Sequence, residues 1–216
     1  MSRHSVPAAP PPAQRGKAPE KRERILDAAV KIFAKEGFYN ARVSQIAELA
    51  GVADGTIYLY FKSKDDLLIQ LFEDRVERIN EKVRAAIDST PSATGRLQLL
   101  IELYFDFIGS DRALAEVITV ELRQSSKFIK EYKNPKFADF LRIVAGIVEA
   151  GQKAGELRRD LLPTLVARAL FGSLDEIARA YLARGSKTFD LTSAKKQLSS
   201  LFLAGLAVVS PGGKSP

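Results

Sequence analysis

The sequence predicts an all-α fold of about nine helices, and three observations support this. From Glu20 onward, apolar residues recur at spacings of three and four, the period of an amphipathic helix. Capping residues, glycines and prolines punctuate that pattern where helices should begin and end. Finally, no stretch shows sustained period-two alternation bounded by hairpin turns. No internal repeat is visible.

Residues 1–19, MSRHSVPAAPPPAQRGKAP, hold five of the ten prolines and almost no large apolar groups. Such a segment buries too little surface to offset its ordering entropy, so a disordered basic tail carrying Arg3, Arg15 and Lys17 is expected. In the first helix, Ile25, Ala28, Ala29, Ile32 and Phe33 form one stripe, Gly37 sits at a C-cap position, and Phe38-Tyr39-Asn40 makes a corner. A short helix through Ile46, Ala47 and Ala50 ends at Gly51, and Asp54 offers an N-cap for a third helix, Gly55 to Tyr60. Ser63 and Asp66 approximate a capping box opening a long helix through Leu67, Leu71, Phe72, Val76, Ile79 and Val83. Thr90-Pro91-Ser92 ends it. Further helices follow near 93–109, from Asp111, and from Asn134-Pro135 to about Ala150, bracketed by Gly151 and Gly155. The last two, near 162–184 and 190–209, are separated by Arg184-Gly185-Ser186. The expected organisation is a tail (1–19), a small helical domain (20–66), a larger one (67–210) and a flexible C-terminus (211–216).

Composition narrows the chemistry. Hydrophobic residues make up 46% and charged ones 27%, as in ordinary globular proteins, and the net charge of +7 favours an anionic partner. There is no cysteine, and the only histidine is His4 in the tail. Disulfides, thiolate metal sites, histidine triads and zinc clusters within the folded part are therefore excluded, and neither metal nor cofactor is expected. The sequence holds no G-x-S-x-G elbow, Walker loop or G-x-G-x-x-G after a strand, so no enzyme is expected. No apolar run reaches the roughly 18 residues of a membrane span, and the N-terminus lacks a signal peptide's apolar core, so the chain reads as cytoplasmic without a membrane partner.

The informative segment is Val43 to Leu67. Two short helices joined by a glycine-containing turn define a helix-turn-helix. Ile46, Ala47 and Ala50 are small or apolar on one face, so a second helix can cross closely. Gly51 makes the turn, while Val52 and Ile57 pin both helices to a core. The second helix then offers its N-terminal residues to a major groove.

Ile46-Ala47, Ala50-Gly51-Val52, Gly55-Thr56-Ile57-Tyr58, Phe61 and Lys64 together resemble the TetR family of transcriptional repressors over residues 21–68. The resemblance implies binding of double-stranded operator DNA. It assigns Arg42, Ser44, Asp54, Gly55 and Thr56 to the groove and its flanking phosphates. It further places Tyr58 and Tyr60 on phosphates or thymine methyls, and Lys64 on a phosphate at a helix N-terminus. Members of that family often carry threonine where Arg42 and Val43 stand, so Arg42 would replace a hydroxyl contact with a charged one.

In the larger domain, Leu99, Leu100, Leu103, Tyr104, Phe107 and Ile108 form an apolar stripe, joined by Val117, Ile118, Phe140, Ile143, Ile147, Leu170, Phe171 and Leu174. Such a stripe is either ordinary core or the lining of an elongated apolar cavity. Residues 53–72, Glu121-Leu-Arg-Gln-Ser125 and Phe171-Gly-Ser-Leu-Asp-Glu176 resemble the fatty-acid-degradation regulators of the TetR family. That resemblance implies repression of fatty-acid degradation genes and release by a long-chain acyl-CoA effector. Tyr104, Phe107, Val117, Phe140, Ile143, Ile147, Phe171 and Leu174 would then hold the acyl chain. Arg123, Lys127, Lys130 and Lys133 would put cations at the cavity mouth to meet the phosphates, with Glu121 and Gln124 as further ligand-binding candidates. The alternative effector is another hydrophobic small molecule, such as a cationic drug met by Glu121, Asp175 or Glu176. The family also implies a homodimer through the last two helices. There Ala167, Gly172, Ser173 and Ala178 with Ala204, Gly205 and Ala207 permit close approach.

Overall fold

The computed structural model describes residues 17–183 and 189–208. The expected tail up to residue 16, the Arg184-Gly185-Ser186 turn and residues 209–216 lie outside the described residues. Ten α-helices and one 3₁₀ turn follow in order: α1 (Lys17–Asn40), α2 (Val43–Ala50), α3 (Asp54–Tyr60), α4 (Lys64–Asp88), α5 (Ala93–Ser110) and α6 (Arg112–Thr119). The 3₁₀ turn (Glu121–Gln124) precedes α7 (Ser126–Lys130), α8 (Pro135–Ala154), α9 (Pro163–Leu182) and α10 (Leu191–Leu206). Among the described residues the only β-type pairing is one isolated antiparallel bridge, Leu157–Ala207.

Most boundaries follow from capping chemistry. Ser63, Ser92, Asp111, Ser125, Asn134 and Asp190 each accept a backbone N–H from the first turn of the following helix. Each such cap is worth about 1 kcal/mol. Gly51 closes α2 in the left-handed region (φ 65°), so the chain reverses there without the strain a Cβ would bring. Three expectations need correction. Asp54 is the first residue of α3 rather than its cap, which is Ala53. α8 runs past Gly151 to Ala154, because Gly151 is a packing site: a Cβ there would lie 2.6 Å from the Cβ of Ala93. The 3₁₀ turn and α7, only four and five residues long, are too short to show a period and were not separated in the sequence.

Two large cores stack along the molecule. The first unites α1–α3 with the start of α4 around Ile25, Phe33, Ile46, Ile57, Phe61 and Leu67, all at most 1% exposed. Leu114, Val117 and Leu122 from α6 and the 3₁₀ turn join this same core. The second gathers the later half of α4 with α5, α8, α9 and α10 around Leu97, Phe105, Val144, Leu170 and Leu174. α4 belongs to both, through Leu67, Leu71 and Phe72 at one end and Val83 and Ile87 at the other.

A charged seam binds α1 to α4. Arg75 is buried and donates to Glu23 and Asp27, both at 2.7 Å, and to Asp74 at 2.9 Å. Burying a guanidinium is tolerable only with such pairing. Glu23 also accepts from Arg78 at 2.6 Å. Burial pushes the Glu23 pKa upward, but the bonds and charges of Arg78 and Arg75 outweigh it and hold the carboxyl below its ordinary value.

Candidate functional site

α2 and α3 cross against α1 with their inner faces dry. Ile46, Ala47, Ala50 and Ile57 are buried and Val52 is partly so, as the helix-turn-helix pattern requires. The opposite face presents Arg42, Ser44, Asp54, Gly55 and Tyr58 to solvent, with Thr56 and Tyr60 half-buried beside them. Tyr58 is 57% exposed, so packing does not explain it. Leu59 is 82% exposed on the same short helix, and the exposed Lys62 follows it. Leu59 escapes a reading from sequence because an apolar residue in a short helix reads as core.

Lys64 stands differently. Its ammonium donates to the carbonyls of Phe38 (2.7 Å), Tyr39 (3.0 Å) and Ala41 (3.0 Å), and it lies over the Phe38 ring. An ammonium has three donors, and all three are used. Lys64 fastens the corner after α1 to the start of α4, and the phosphate contact expected of it would compete with these bonds.

Beneath this head lies a cavity of about 430 Å³ enclosed by α4, α5, α6, the 3₁₀ turn, α7, α8 and α9. Its wall is mostly apolar, with Phe72, Val76, Ile79, Leu103, Phe107, Phe128, Phe137, Phe140 and Phe171. Phe171 meets Phe137 and Phe140 edge-on, with ring centroids 4.5 and 5.9 Å away. A few polar groups interrupt the wall. Asn80 is fully buried and donates to the Lys136 carbonyl at 3.0 Å. Burial, then the nearby Asp175 charge, push the Tyr104 hydroxyl well above its ordinary pKa, so it stays protonated. Arg123 donates to Asp175 at 2.8 Å and also holds the Thr119 carbonyl. Arg179 approaches the same carboxylate at 3.5 Å.

Of the expected effector residues, Tyr104, Phe107, Arg123, Phe140 and Phe171 line this cavity. The other seven do not. Val117, Ile147 and Leu174 are buried core, and Ile143 packs partly buried against the second core. Their periodicity told apolar from polar, but not lining from filling. Gln124 and Lys127 are exposed outside the cavity, as are Lys130 and Lys133. Glu121 turns away from it and accepts the Phe38 backbone N–H at 2.6 Å. The cations that line the cavity and also reach solvent are Lys82 and Arg123. α4 supplies much of the wall that sequence reasoning missed. The signal was present in Ile79 and Val83, where the apolar stripe of α4 continues past the first core.

A helix-turn-helix head over a helical domain with an apolar cavity has the outline of a DNA-binding regulator, and comparison with known proteins supplies the family. Residues 25–71 match the family model of bacterial regulatory proteins of the tetR family, and residues 72–205 match that of the YsiA-like protein C-terminal region. The chain belongs to the TetR family of transcription regulators. It is 36% identical over 183 residues to the fatty acid metabolism regulator protein of Bacillus subtilis, covering 85% of this chain and 94% of that one. The crystal structure of the transcriptional regulator FadR from Bacillus subtilis in complex with stearoyl-CoA superposes with a TM-score of 0.79 at 35% identity, covering 85% of this chain and 98% of that one. The fatty acid degradation regulator FadR from Bacillus halodurans gives 0.78 at 34%, with the same coverages. Among the described residues, no helix is long and apolar enough to cross a membrane.

Proposed function

We propose that this protein is a cytoplasmic repressor of fatty-acid degradation genes that leaves its operator when long-chain acyl-CoA fills the cavity beneath its helix-turn-helix. The carrying observation is the cavity itself: aromatic, about 430 Å³, in contact with α4, and with both acids of its wall paired, Asp175 with Arg123 and Asp106 with Lys195. An acyl chain needs an apolar wall, and the coenzyme A phosphates need cations, for which Lys82 and Arg123 stand ready. A cationic drug would instead need an unpaired acid inside. Asp175 is paired with Arg123 and Arg179, while Glu121 is committed to the head. The match to a regulator crystallised with stearoyl-CoA supports the same reading.

On the DNA side, Arg42, Ser44, Asp54, Gly55, Thr56, Tyr58 and Tyr60 are the proposed contacts, with α3 entering the major groove. The division of labour falls within α4, which gives Leu67, Leu71 and Phe72 to the head's core and Val83 and Ile87 to the other. Two chains pair through α9 and α10, where Leu165, Gly172, Leu201, Ala204 and Gly205 face outward. Ala167 and Ala178 are spent on packing within the chain, so they are not part of that surface. The dimer sets the two heads at about one helical turn of DNA, roughly 34 Å or a multiple.

Fluorescence anisotropy on a duplex from the gene's own upstream region tests this reading. Binding should weaken steeply with salt, as phosphate contacts demand. Palmitoyl-CoA or oleoyl-CoA should release the duplex, while free fatty acid, free coenzyme A and detergent at matched concentration should not. Tight DNA binding that no acyl-CoA disturbs would discard the effector assignment.

A further inference from the structure

Between cavity and head lie five consecutive residues, Glu121 to Ser125, that touch both. Glu121 accepts the Phe38 N–H at 2.6 Å, and the Gln124 carbonyl accepts the Tyr39 hydroxyl at 2.9 Å. Ser125, fully buried, donates its hydroxyl to Asp65 on the first turn of α4 at 2.6 Å. Leu122 and Arg123, in between, line the cavity, and Leu122 is also part of the head's core. The corner held on this side by Glu121 is the one Lys64 holds on the other. Phe38 is thus gripped through both its N–H and its carbonyl. That corner leads directly into Arg42, the cap of α2.

We propose that the Glu121–Ser125 segment is the clamp through which cavity occupancy sets the orientation of the DNA-reading head, with Glu121 as its positioning residue. The proposal rests on the reading that an occupant of this cavity governs DNA affinity. A carboxylate bound to a backbone N–H is a charge-assisted hydrogen bond, stronger than a neutral one. A 3₁₀ turn has poorer internal hydrogen-bond geometry than an α-helix, so this connection yields more readily than α4, which is packed into both cores. Arg123 gives the clamp two arrangements. Without an occupant it pairs with Asp175; an anionic occupant competes for the same guanidinium and draws the turn with it. The adjoining Glu121 bond is then lost, and the corner before α2 is freed. This route acts directly on the α1–α2 corner and is additional to any pivot of α4.

The test measures operator affinity by anisotropy for wild type, Glu121→Ala, Glu121→Gln and Tyr39→Phe, each without effector and with saturating palmitoyl-CoA. Melting temperatures check that each variant folds. Without effector, Glu121→Ala should bind DNA about tenfold more weakly, and its effector response should shrink to within about threefold, inside the span of ordinary allosteric couplings. It should bind palmitoyl-CoA as tightly as wild type or tighter, because the competing state has been weakened; a general loss of structure would lower both affinities. Glu121→Gln keeps an acceptor and should recover most of the coupling. If Glu121→Ala does not fold, Tyr39→Phe, which removes one exposed hydroxyl, should show the same pattern at about threefold. Wild-type DNA affinity and effector response in these variants would overturn the clamp. The effector-free comparison needs no acyl-CoA. A wild-type protein that ignores palmitoyl-CoA would therefore sink the effector reading while the clamp is still judged on DNA affinity alone.

Discussion

The head and the effector half place their polar groups in opposite ways. In the head the interior is dry: Ile25, Phe33, Ile46, Ile57, Phe61 and Leu67 fill it, and the polar residues stand on the outer face or along the Arg75 seam. The effector half keeps Asn80, Tyr104, Thr119, Arg123 and Asp175 on the wall of an internal cavity ringed by phenylalanines. A dry, close-packed core has one good arrangement and presents its outer face rigidly. An interior that holds an ion pair beside open space has two, because a charged occupant can replace one partner. Reading DNA calls for the first kind of interior and sensing a ligand for the second. Both kinds meet at the turn after α6.

The sharpest way to break this contrast is to hollow each half in turn. Phe33→Ala should cost about 3–5 kcal/mol in urea unfolding and abolish DNA binding, since the head core has no slack. Phe171→Ala borders space already open, so it should cost no more than about 2 kcal/mol while lowering palmitoyl-CoA affinity with DNA affinity intact. Equal destabilisation by the two would remove the distinction. Next in size is Arg75→Met, which leaves Glu23, Asp27 and Asp74 without their shared cation. We expect a loss of about 2 kcal/mol in the same assay, below the range for a fully buried pair because Asp27 is largely exposed.

Substitutions on the outer face should separate binding from stability. Tyr58→Ala should change stability by no more than about 0.5 kcal/mol, yet weaken operator binding about tenfold, on the scale of one lost contact. The smallest effect expected is one of pH. The Glu23 carboxyl is held below its unfolded value of 4.5, so the folded state takes up its proton less readily than the unfolded chain does. Its contribution is complete above the unfolded value and is lost as pH falls through the lower folded value. Glu23→Gln should therefore show a smaller drop in Tm than wild type between about pH 6 and about pH 3.

The same contrast explains what was legible in the sequence. The inner face of the head was legible in the Ile46-Ala47 and Ala50-Gly51-Val52 pattern, whose residues Ile46, Ala47 and Ala50 are buried, whereas the outer-face contacts were expected from the resemblance to the TetR family. For Lys64, expected at a phosphate, the folded corner adds three carbonyls converging on its ammonium, which no local pattern announces. In the effector half, periodicity marked Ile147 and Leu174 as apolar just as strongly as Phe140 and Phe171. Which of them meets open space depends on how helices far apart in sequence diverge, and no local signal carries that. Glu121 was read as a ligand residue because it stands in the Glu121–Ser125 run that resembles the fatty-acid-degradation regulators, but successive residues of a tight turn point in different directions.

The central claim is that occupancy of the cavity and occupancy of the operator exclude one another. Linkage makes that testable from the ligand side: whatever factor palmitoyl-CoA takes from DNA affinity, DNA must take from palmitoyl-CoA affinity. Palmitoyl-CoA binding should be measured with and without saturating operator duplex. An affinity lower with the duplex, by the same factor as the loss of operator affinity seen with effector, is the expected result. Equal palmitoyl-CoA affinities in the two conditions would contradict the account.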